Sequence, residues 1–181
     1  MRLFHLSDLH IGKRVNEFSM IEDQKYILER ILDLAEKEMP DGVILAGDIY
    51  DKQIPSAEAV QVFDEFITKL AERKFPVFVI SGNHDSAERL AFGGRLLNSR
   101  GIYLSPVYDG TVMKIPIADQ YGTVWIHLLP FIRPAAVRRV FEDESDLITD
   151  VQSAVRAVIS HMEIDPNERN ILVAHQFVTG A

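Results

Sequence analysis

The chain of 181 residues contains no cysteine. This absence excludes a disulfide framework, a thiolate zinc site and a cysteine nucleophile, so a bound metal must rely on nitrogen and oxygen ligands. The sequence also has no run of about 18 apolar residues, and residues 1–5 lack the apolar core and small-residue cleavage site of a signal peptide. We therefore expect a cytoplasmic protein.

Basic residues are scarce, because 19 lysines and arginines stand against 27 aspartates and glutamates, for a formal net charge of −8. This balance argues against a protein that binds nucleic acid simply through a basic groove. It does not exclude a metal enzyme, because carboxylates that ligate divalent ions count as bare charges in that sum. Part of the acidic excess lies in residues 142–146, which we interpret as a solvated loop or the start of a helix.

The apolar content of 47% is ordinary for one globular domain of this length. The most informative stretch is residues 43–51, where an all-apolar run stops at Gly47-Asp48. This pattern is typical of a buried parallel strand that carries one carboxylate at its C-terminal end. Ligands of open parallel α/β sheets bind at that edge, so Asp48 is the first candidate site residue.

Two further predicted strands end in the same way. The strand over residues 2–6 leads into Asp8-Leu9-His10, and the strand over residues 77–80 leads into Asn83-His84. Packing alone does not explain three successive strands that all end in polar side chains able to bind a metal. The sequence therefore predicts one site at this edge of the sheet.

The other predicted elements follow from apolar periodicity and helix-capping residues. The helix after the first strand completes a βαβ unit, and the later strands form the second half of a sandwich. Two helices come first, one from the capping box at Ser19 to Pro40 and one from Ser56 to before Pro76, and an irregular helix broken at Gly93-Gly94 follows over 86–100. Strands 111–117 and 123–129 then form a hairpin joined by 118–122. The last predicted elements are helices over 134–140 and 147–162 and a strand over 170–174 that ends in His175.

The polar strand ends form a candidate site for two metal ions. Two divalent ions about 3.5–4 Å apart need a ligand that touches both, and we predict that the carboxylate of Asp48 bridges them. Asp8 and His10 are predicted to bind one ion, and Asn83 and His175 the other. Mixed nitrogen and oxygen ligands favour Mn, Fe or Zn over Ca or Mg, with Mn(II) as the first choice. Water bound there would have its pKa lowered toward about 7 and would attack phosphorus in line.

His84 follows the predicted ligand Asn83 and can therefore point at the substrate. There it would stabilise the pentacovalent state or protonate the leaving oxygen. Such general acid–base help is worth about 10²–10⁴ in rate, so most of the acceleration must come from the metals. We therefore expect Asp48→Asn to reduce activity more than His84→Gln.

Other polar side chains have simpler interpretations. We interpret His5, His127 and His161 as structural or surface histidines. Asp51 and Asp85 either orient ligands or form turns. We interpret Lys13, Arg14 and Lys52 as solvated charges, with contact to substrate phosphates as the alternative.

The chain resembles the calcineurin-like metallophosphoesterases, because Asp8-Leu9-His10, Gly47-Asp48, Gly82-Asn83-His84-Asp85 and Ala174-His175 occur in the order of that family's motifs. Within the family it is similar to the SbcD-type nuclease subunits at residues 7–12, 46–51 and 129–134, and the similarity runs over essentially all 181 residues. The combination of motifs is specific, whereas each single motif is not.

The resemblance implies an α/β fold, a four-layer αββα sandwich, with a pair of Mn(II) ions. By position, the residues that match the family's metal ligands are Asp8, His10, Asp48, Asn83 and His175. His84 matches the histidine that acts on the substrate phosphate.

The resemblance also implies phosphodiester cleavage of DNA, with 3′ to 5′ exonuclease action on duplex ends and endonuclease action on single strands and hairpins. Partners implied in the same way are an SbcC-type ATPase of the ABC class and a second copy of the chain, with the helices near 56–72 and 87–99 as candidates for the dimer surface.

The chain departs from the family pattern at its C-terminus, where a Gly-His-x-His motif, a capping region and a partner-binding tail do not follow. We therefore expect residues 1–181 to be the N-terminal part of the nuclease domain, with the sandwich incomplete at the C-terminus. Each ion would have one protein ligand fewer, so we expect weak metal binding and little nuclease activity from these residues alone.

Two other functions stay open. One is a phosphatase or small-molecule phosphodiesterase of the same superfamily, although Asp51-Lys52-Gln53 and His84-Asp85 depart from the motifs of phosphoprotein phosphatases. The other is a catalytically silent scaffold, against which the intact set of strand-end residues argues.

Overall fold

A computed structural model describes residues 1–177 of the protein. These residues form nine strands and six α-helices, with two short 3₁₀ helices over Asn98–Arg100 and Glu142–Leu147. The strands are β1 (Leu3–Leu6), β2 (Arg14–Val15), β3 (Phe18–Ser19), β4 (Gly42–Ala46), β5 (Val77–Ile80), β6 (Ile102–Leu104), β7 (Met113–Asp119), β8 (Gly122–Leu128) and β9 (Arg169–Val173). The helices are α1 (Ile21–Glu38), α2 (Ala57–Glu72), α3 (Ala87–Leu90), α4 (Gly94–Leu97), α5 (Pro134–Val140) and α6 (Val151–Ser160).

The first sheet is parallel throughout, in the order β1-β4-β5-β6. Every residue of β4 and β5 is buried, because helices cover one face and a second sheet covers the other. This burial on both faces explains why both strands are continuous apolar runs. Ala46 pairs with Ile80 in the register, so β4 and β5 end side by side.

The helices α1 and α2 cover the outer face of the parallel sheet. Ser56 caps α2 as predicted, because its hydroxyl accepts the backbone N–H of Ala59 at 3.2 Å. The predicted capping box at Ser19 is wrong, since Met20 is the N-cap of α1 and Ser19 belongs to β3. Pairing of β3 with β2 holds Ser19 one residue before the N-cap, where its hydroxyl accepts the N–H of Ile21 at 3.4 Å instead of forming a capping box.

The second sheet has the order β7-β8-β9, with β7 antiparallel and β9 parallel to β8. Asp119 pairs with Gly122, so the predicted hairpin has a shorter turn than residues 118–122. The reason is that a two-residue connection lets the ladder continue to the end of both strands.

Three apolar clusters lie between the layers of the sandwich. The first cluster joins α1 and α2 to the parallel sheet, the second joins the two sheets, and the third lies beneath α5 and α6. The α/β fold with its four-layer αββα order is therefore confirmed. No helix within residues 1–177 is long and apolar enough to cross a bilayer.

Two predicted helices have different bounds in the structure. The helix expected over 147–162 begins only at Val151, because Asp150 and Ser153 form a capping box there and Leu147 belongs to the preceding 3₁₀ helix. The segment over 86–100 is broken at Gly93 as predicted, and its Leu90 packs in the core. Phe92 and Leu96, however, are 86% and 79% exposed.

Candidate metal centre

The loops that follow β1 and β4 are held together by backbone hydrogen bonds. The N–H of Asp8 donates to the carbonyl of Gly47 at 3.1 Å, and that of His10 donates to Asp48 at 2.9 Å. Asp8, His10 and Asp48 all adopt positive φ, at 57°, 44° and 50°. Such conformations are uncommon outside glycine and cluster at functional sites, so they mark this edge of the sheet as a candidate functional site.

Asp48 lies at the centre of the cluster and is 3% exposed. Its Oδ1 accepts the backbone N–H of His84 at 2.8 Å. Its Oδ2 lies 3.7 Å from Nε2 of His10 and 3.5 Å from Nε2 of His175. A buried carboxylate with imidazoles on two sides is placed to bind a metal ion together with either histidine.

The structure brings four of the five predicted ligands, together with His84, into two overlapping groups. One contains His10, Asp48 and His84, and the other contains Asp8, Asp48 and His175, with the candidate ligand atoms of each group within 4.8 Å of one another. Asp48 belongs to both groups. Asp8 is grouped with His175, whereas the sequence prediction paired it with His10, although Oδ1 of Asp8 lies 3.8 Å from Nε2 of His10. The division of ligands between two ions stays a prediction.

His175 and Asn83 meet across the joint between the two sheets. Nδ1 of His175 lies 2.7 Å from the carbonyl oxygen of Ala46, so this nitrogen carries the proton and Nε2 is free to accept. Nε2 faces Oδ1 of Asn83 at 3.2 Å. A histidine that donates its second nitrogen to a carbonyl has the arrangement usual for a metal ligand.

Gly47 and Gly82 are required for this close approach. A Cβ on Gly47 would lie 2.6 Å from the ring of His175, and one on Gly82 would lie 2.1 Å from Oδ1 of Asp48. A side chain at either position would therefore displace a candidate ligand.

The charges of the cluster also fit divalent cations. Within residues 1–177, the carboxylates of Asp8 and Asp48 have histidines within 4.0 Å but no lysine or arginine. The carboxylate of Asp8 is exposed, but that of Asp48 is buried. A buried carboxylate without a cationic partner is costly, and ligation of a metal removes that cost. The mixture of carboxylate, imidazole and amide donors suits first-row metals such as Mn(II).

His84 lies beside the cluster on the side of His10. Nδ1 of His84 lies 3.0 Å from the carbonyl oxygen of Asp51, so it carries the proton and Nε2 is the free nitrogen. The rings of His10 and His84 meet edge to face at 4.8 Å between centroids. Nδ1 of His10 is buried, finds no hydrogen-bond partner within the described part of the chain, and lies 3.7 Å from Oδ1 of Asp51.

Asp85 connects the loops that follow β4 and β5. Its buried carboxylate accepts backbone N–H groups from Ile49 at 3.1 Å, Tyr50 at 2.9 Å and Gly82 at 2.8 Å. Asp85 therefore fixes the loops that carry Asp48 and Asn83. Burial, with the negative charge of Asp85 as a smaller cause, raises the pKa of Tyr50 to about 12.

Gln24 is a positioning residue that sequence reasoning missed. Its amide donates to the carbonyl oxygens of Leu9 at 3.1 Å and His10 at 2.7 Å, and its Oε1 accepts the N–H of Gly12 at 2.9 Å. The signal was a glutamine on the apolar stripe of the first predicted helix, one turn after Ile21.

The remaining histidines have the roles that the sequence suggested. His5 is exposed, and His127 is buried with a ring nitrogen 2.9 Å from Oδ1 of Asn170. The ring of His161 stacks on Phe141 at 4.1 Å. The charged side chains of Lys13, Arg14 and Lys52 are exposed.

The motif residues and the geometry are those of a phosphoesterase, and the comparisons with known proteins agree. The family model of the calcineurin-like phosphoesterases matches residues 1–180, so the chain belongs to this family. Among curated proteins it is similar to the SbcD subunit of the nuclease SbcCD from Staphylococcus epidermidis, at 36% identity over 99% of this chain and 47% of the relative. The protein of the same name from Staphylococcus saprophyticus is 34% identical over the same shares. The chain thus spans about half the length of these relatives.

Proposed function

We propose that the chain carries the metal centre of a DNA nuclease subunit that hydrolyses phosphodiester bonds. The observation that supports this proposal most strongly is the convergence of Asp8, His10, Asp48 and His175 at the joint of the two sheets. The similarity to nuclease subunits over almost the whole chain supports DNA as the substrate.

The residues proposed to hold two divalent ions, with Mn(II) first, are Asp8, His10, Asp48, Asn83 and His175. Bound ions of this kind neutralise phosphate charge and activate water near neutral pH. Asp48 is the proposed bridging ligand. The protein itself supplies fixed ligand geometry, through the loop contacts made by Asp85 and Gln24.

His84 is the proposed catalytic residue. Its backbone N–H holds Asp48, and its ring is oriented by the carbonyl of Asp51. Nε2 is then available to a substrate phosphate or to the leaving oxygen, and such acid–base help is worth about 10²–10⁴ in rate. Membership of the group with His10 and Asp48 makes direct metal ligation by His84 the competing role.

The wider role that we propose is DNA end processing and repair together with an SbcC-type ATPase, with exonuclease action on duplex ends and endonuclease action on hairpins. Self-association through the helices near 56–72 and 87–99 belongs to the same proposal. It is supported by the exposure of Phe92 and Leu96.

The test is Mn(II)-dependent cleavage of an end-labelled DNA hairpin, measured beside hydrolysis of bis(p-nitrophenyl) phosphate. Residues 1–181 are compared with a version extended to the length of the relatives, and we expect cleavage to be weak in the former and strong in the latter. Hydrolysis of the small ester without DNA cleavage would favour a small-molecule phosphodiesterase. Metal binding without either activity would favour a scaffold.

A further inference from the structure

A cleft of about 320 Å³ opens beside the candidate metal centre. Asn83 and Phe131 line this cleft and also line the neighbouring hollow that contains Asp8 and His175. A group bound in the cleft is therefore adjacent to a phosphate held at the metal centre. The side chains of the cleft on which the proposal depends are Gln53, Glu88, Phe131 and Arg133.

We propose that this cleft binds the nucleobase next to the cleaved phosphate, with Phe131 as the stacking surface and the amide of Gln53 as a hydrogen-bonding group. This inference rests on the proposed function, because it assumes that the phosphate at the metal centre belongs to DNA. It adds a base-binding subsite made of residues that do not ligate metal.

Phe131 is held in place without its side chain being buried. Its backbone N–H donates to the carbonyl of Ser81 at 2.8 Å, which ties it to the loop that carries Asn83. Its half-buried ring meets the ring of His175 nearly edge to face, with 6.5 Å between centroids, and the guanidinium of Arg133 lies 6.0 Å from its centroid. An aromatic ring fixed in this way can stack on any base, because every base has a π-face.

The charges of the cleft favour a neutral occupant over a second phosphate. Glu88 and Arg133 line the cleft with opposite charges, and the carboxylate of Asp85 is occupied by three backbone N–H groups. Hydrogen bonds from its own backbone and from the hydroxyl of Ser86 lower the pKa of Glu88, so this residue is charged at neutral pH. A flat, neutral ring with polar edges suits such a lining.

The amide of Gln53 is the polar group that the cleft offers to a base edge. Gln53 lines the cleft and is exposed. An amide carries both a donor and an acceptor, so it can pair with the edge of any base. Asn83 also lines the cleft, but it is a proposed metal ligand and is not assigned to the base.

The size of the cleft adds a requirement on the substrate. A volume of about 320 Å³ is near the lower end of the range for ligand sites and admits one base with its sugar rather than a duplex. The base must therefore leave its stack, which is easiest in single strands, hairpin loops and frayed ends.

The experiment is a fluorescence titration of 2-aminopurine deoxyriboside 5′-monophosphate with the full chain in Mg(II), since Mn(II) itself quenches fluorescence. Stacking on Phe131 should quench the probe in the wild type and in Phe131→Tyr. Phe131→Leu should remove the quenching and weaken binding roughly tenfold. Tyr121→Leu, at an exposed aromatic residue on the β7–β8 turn, is the matched control and should behave as wild type.

Gln53→Ala provides a second variant that keeps the fold, because Gln53 is exposed. It should weaken binding of the probe about threefold while leaving the melting temperature unchanged. Deoxyribose 5-phosphate, which lacks a base, should compete at least about tenfold less well than deoxyadenosine monophosphate.

Equal affinity in wild type, Phe131→Leu and Gln53→Ala would overturn the proposal, as would equal competition by the base-free phosphate. Absence of any binding by the wild type would overturn it as well. The proposed function fails separately, if the extended protein does not cut DNA with Mn(II). Hairpin cleavage that is unchanged in Phe131→Leu would reject the base subsite alone.

Discussion

Oδ2 of Asp48 lies 3.5 Å from Nε2 of His175, and the two residues follow strands of different sheets. Asp48 comes after β4 of the parallel sheet, and His175 comes after β9 of the mixed sheet. The candidate centre therefore exists only when the two sheets pack against each other. Metal binding and the packing of the sandwich should be thermodynamically linked for this reason.

Mn(II) should accordingly stabilise the folded chain. A ligand that binds only the native state adds about 2.7 kcal/mol to the free energy of unfolding when its concentration is one hundred times its Kd. The melting temperature should therefore rise with Mn(II) concentration and fall back after chelation with EDTA. Differential scanning fluorimetry measures this effect. A melting temperature that does not respond to millimolar Mn(II) would mean that the cluster does not bind the ion in the native state.

Asp85→Asn should destabilise the protein by about 2–4 kcal/mol, because at least one of three buried backbone N–H groups would face an amide N–H instead of an oxygen. Urea denaturation measures the change in free energy of unfolding. Asp109→Asn is the matched control, since the exposed Asp109 accepts one backbone N–H, from Thr111 at 3.1 Å, and should cost less than about 1 kcal/mol. Equal effects of both substitutions would argue against the positioning role of Asp85.

Stability at acid pH should depend on Asp119. Two hydrogen bonds from the guanidinium of Arg169, at 2.7 and 2.8 Å, lower the pKa of Asp119, with help from the backbone N–H of Tyr121 and the N-terminal ammonium. A depressed pKa contributes stability above the unfolded value of about 3.9, and this contribution is lost as the pH falls below it.

Asp119→Asn should therefore lower the urea midpoint at pH 7, and the difference from wild type should shrink steadily below about pH 4. Asp146→Asn, at an exposed residue of the acidic segment, serves as the control and should leave the midpoint unchanged. A difference that stays constant down to pH 2 would show that the ion pair does not supply this stability.

Phe92→Asp combined with Leu96→Asp should abolish self-association without unfolding the chain, because both side chains are exposed in the single chain. Sedimentation equilibrium measures the mass in solution. Tyr121→Asp is an equally exposed control on another surface turn and should leave the mass unchanged. A wild type that stays monomeric at high concentration would contradict the proposed dimer surface.

Much of the parallel sheet could be predicted because its sequence signals are local. Residues 43–46 and 77–80 are apolar on both faces and are followed directly by polar side chains, so strand, burial and ligand candidates came from one pattern. Sequence spacing alone did not determine where α1 and α6 begin. Their first residues depend on which side chain caps the helix, and this is Asp150 for α6, whereas the N-cap of α1 is Met20 and not Ser19.

The arrangement within the site was less predictable than its membership. The grouping of Asp8 with His175 arises where two sheets meet, and no local sequence pattern encodes that contact. The role of Gln24 likewise depends on the loop after β1 passing over the first turns of α1. The candidate ligands could be predicted from the sequence, whereas the residues that position them could be found only from the fold.

The most direct test of the central claim is a calorimetric titration of the chain with Mn(II). Wild type should bind the ion, His84→Gln should bind it with similar affinity, and Asp48→Asn should bind it at least about tenfold more weakly while its apo form stays folded. Equal Mn(II) binding by Asp48→Asn and wild type would contradict the placement of Asp48 at the centre of the metal site.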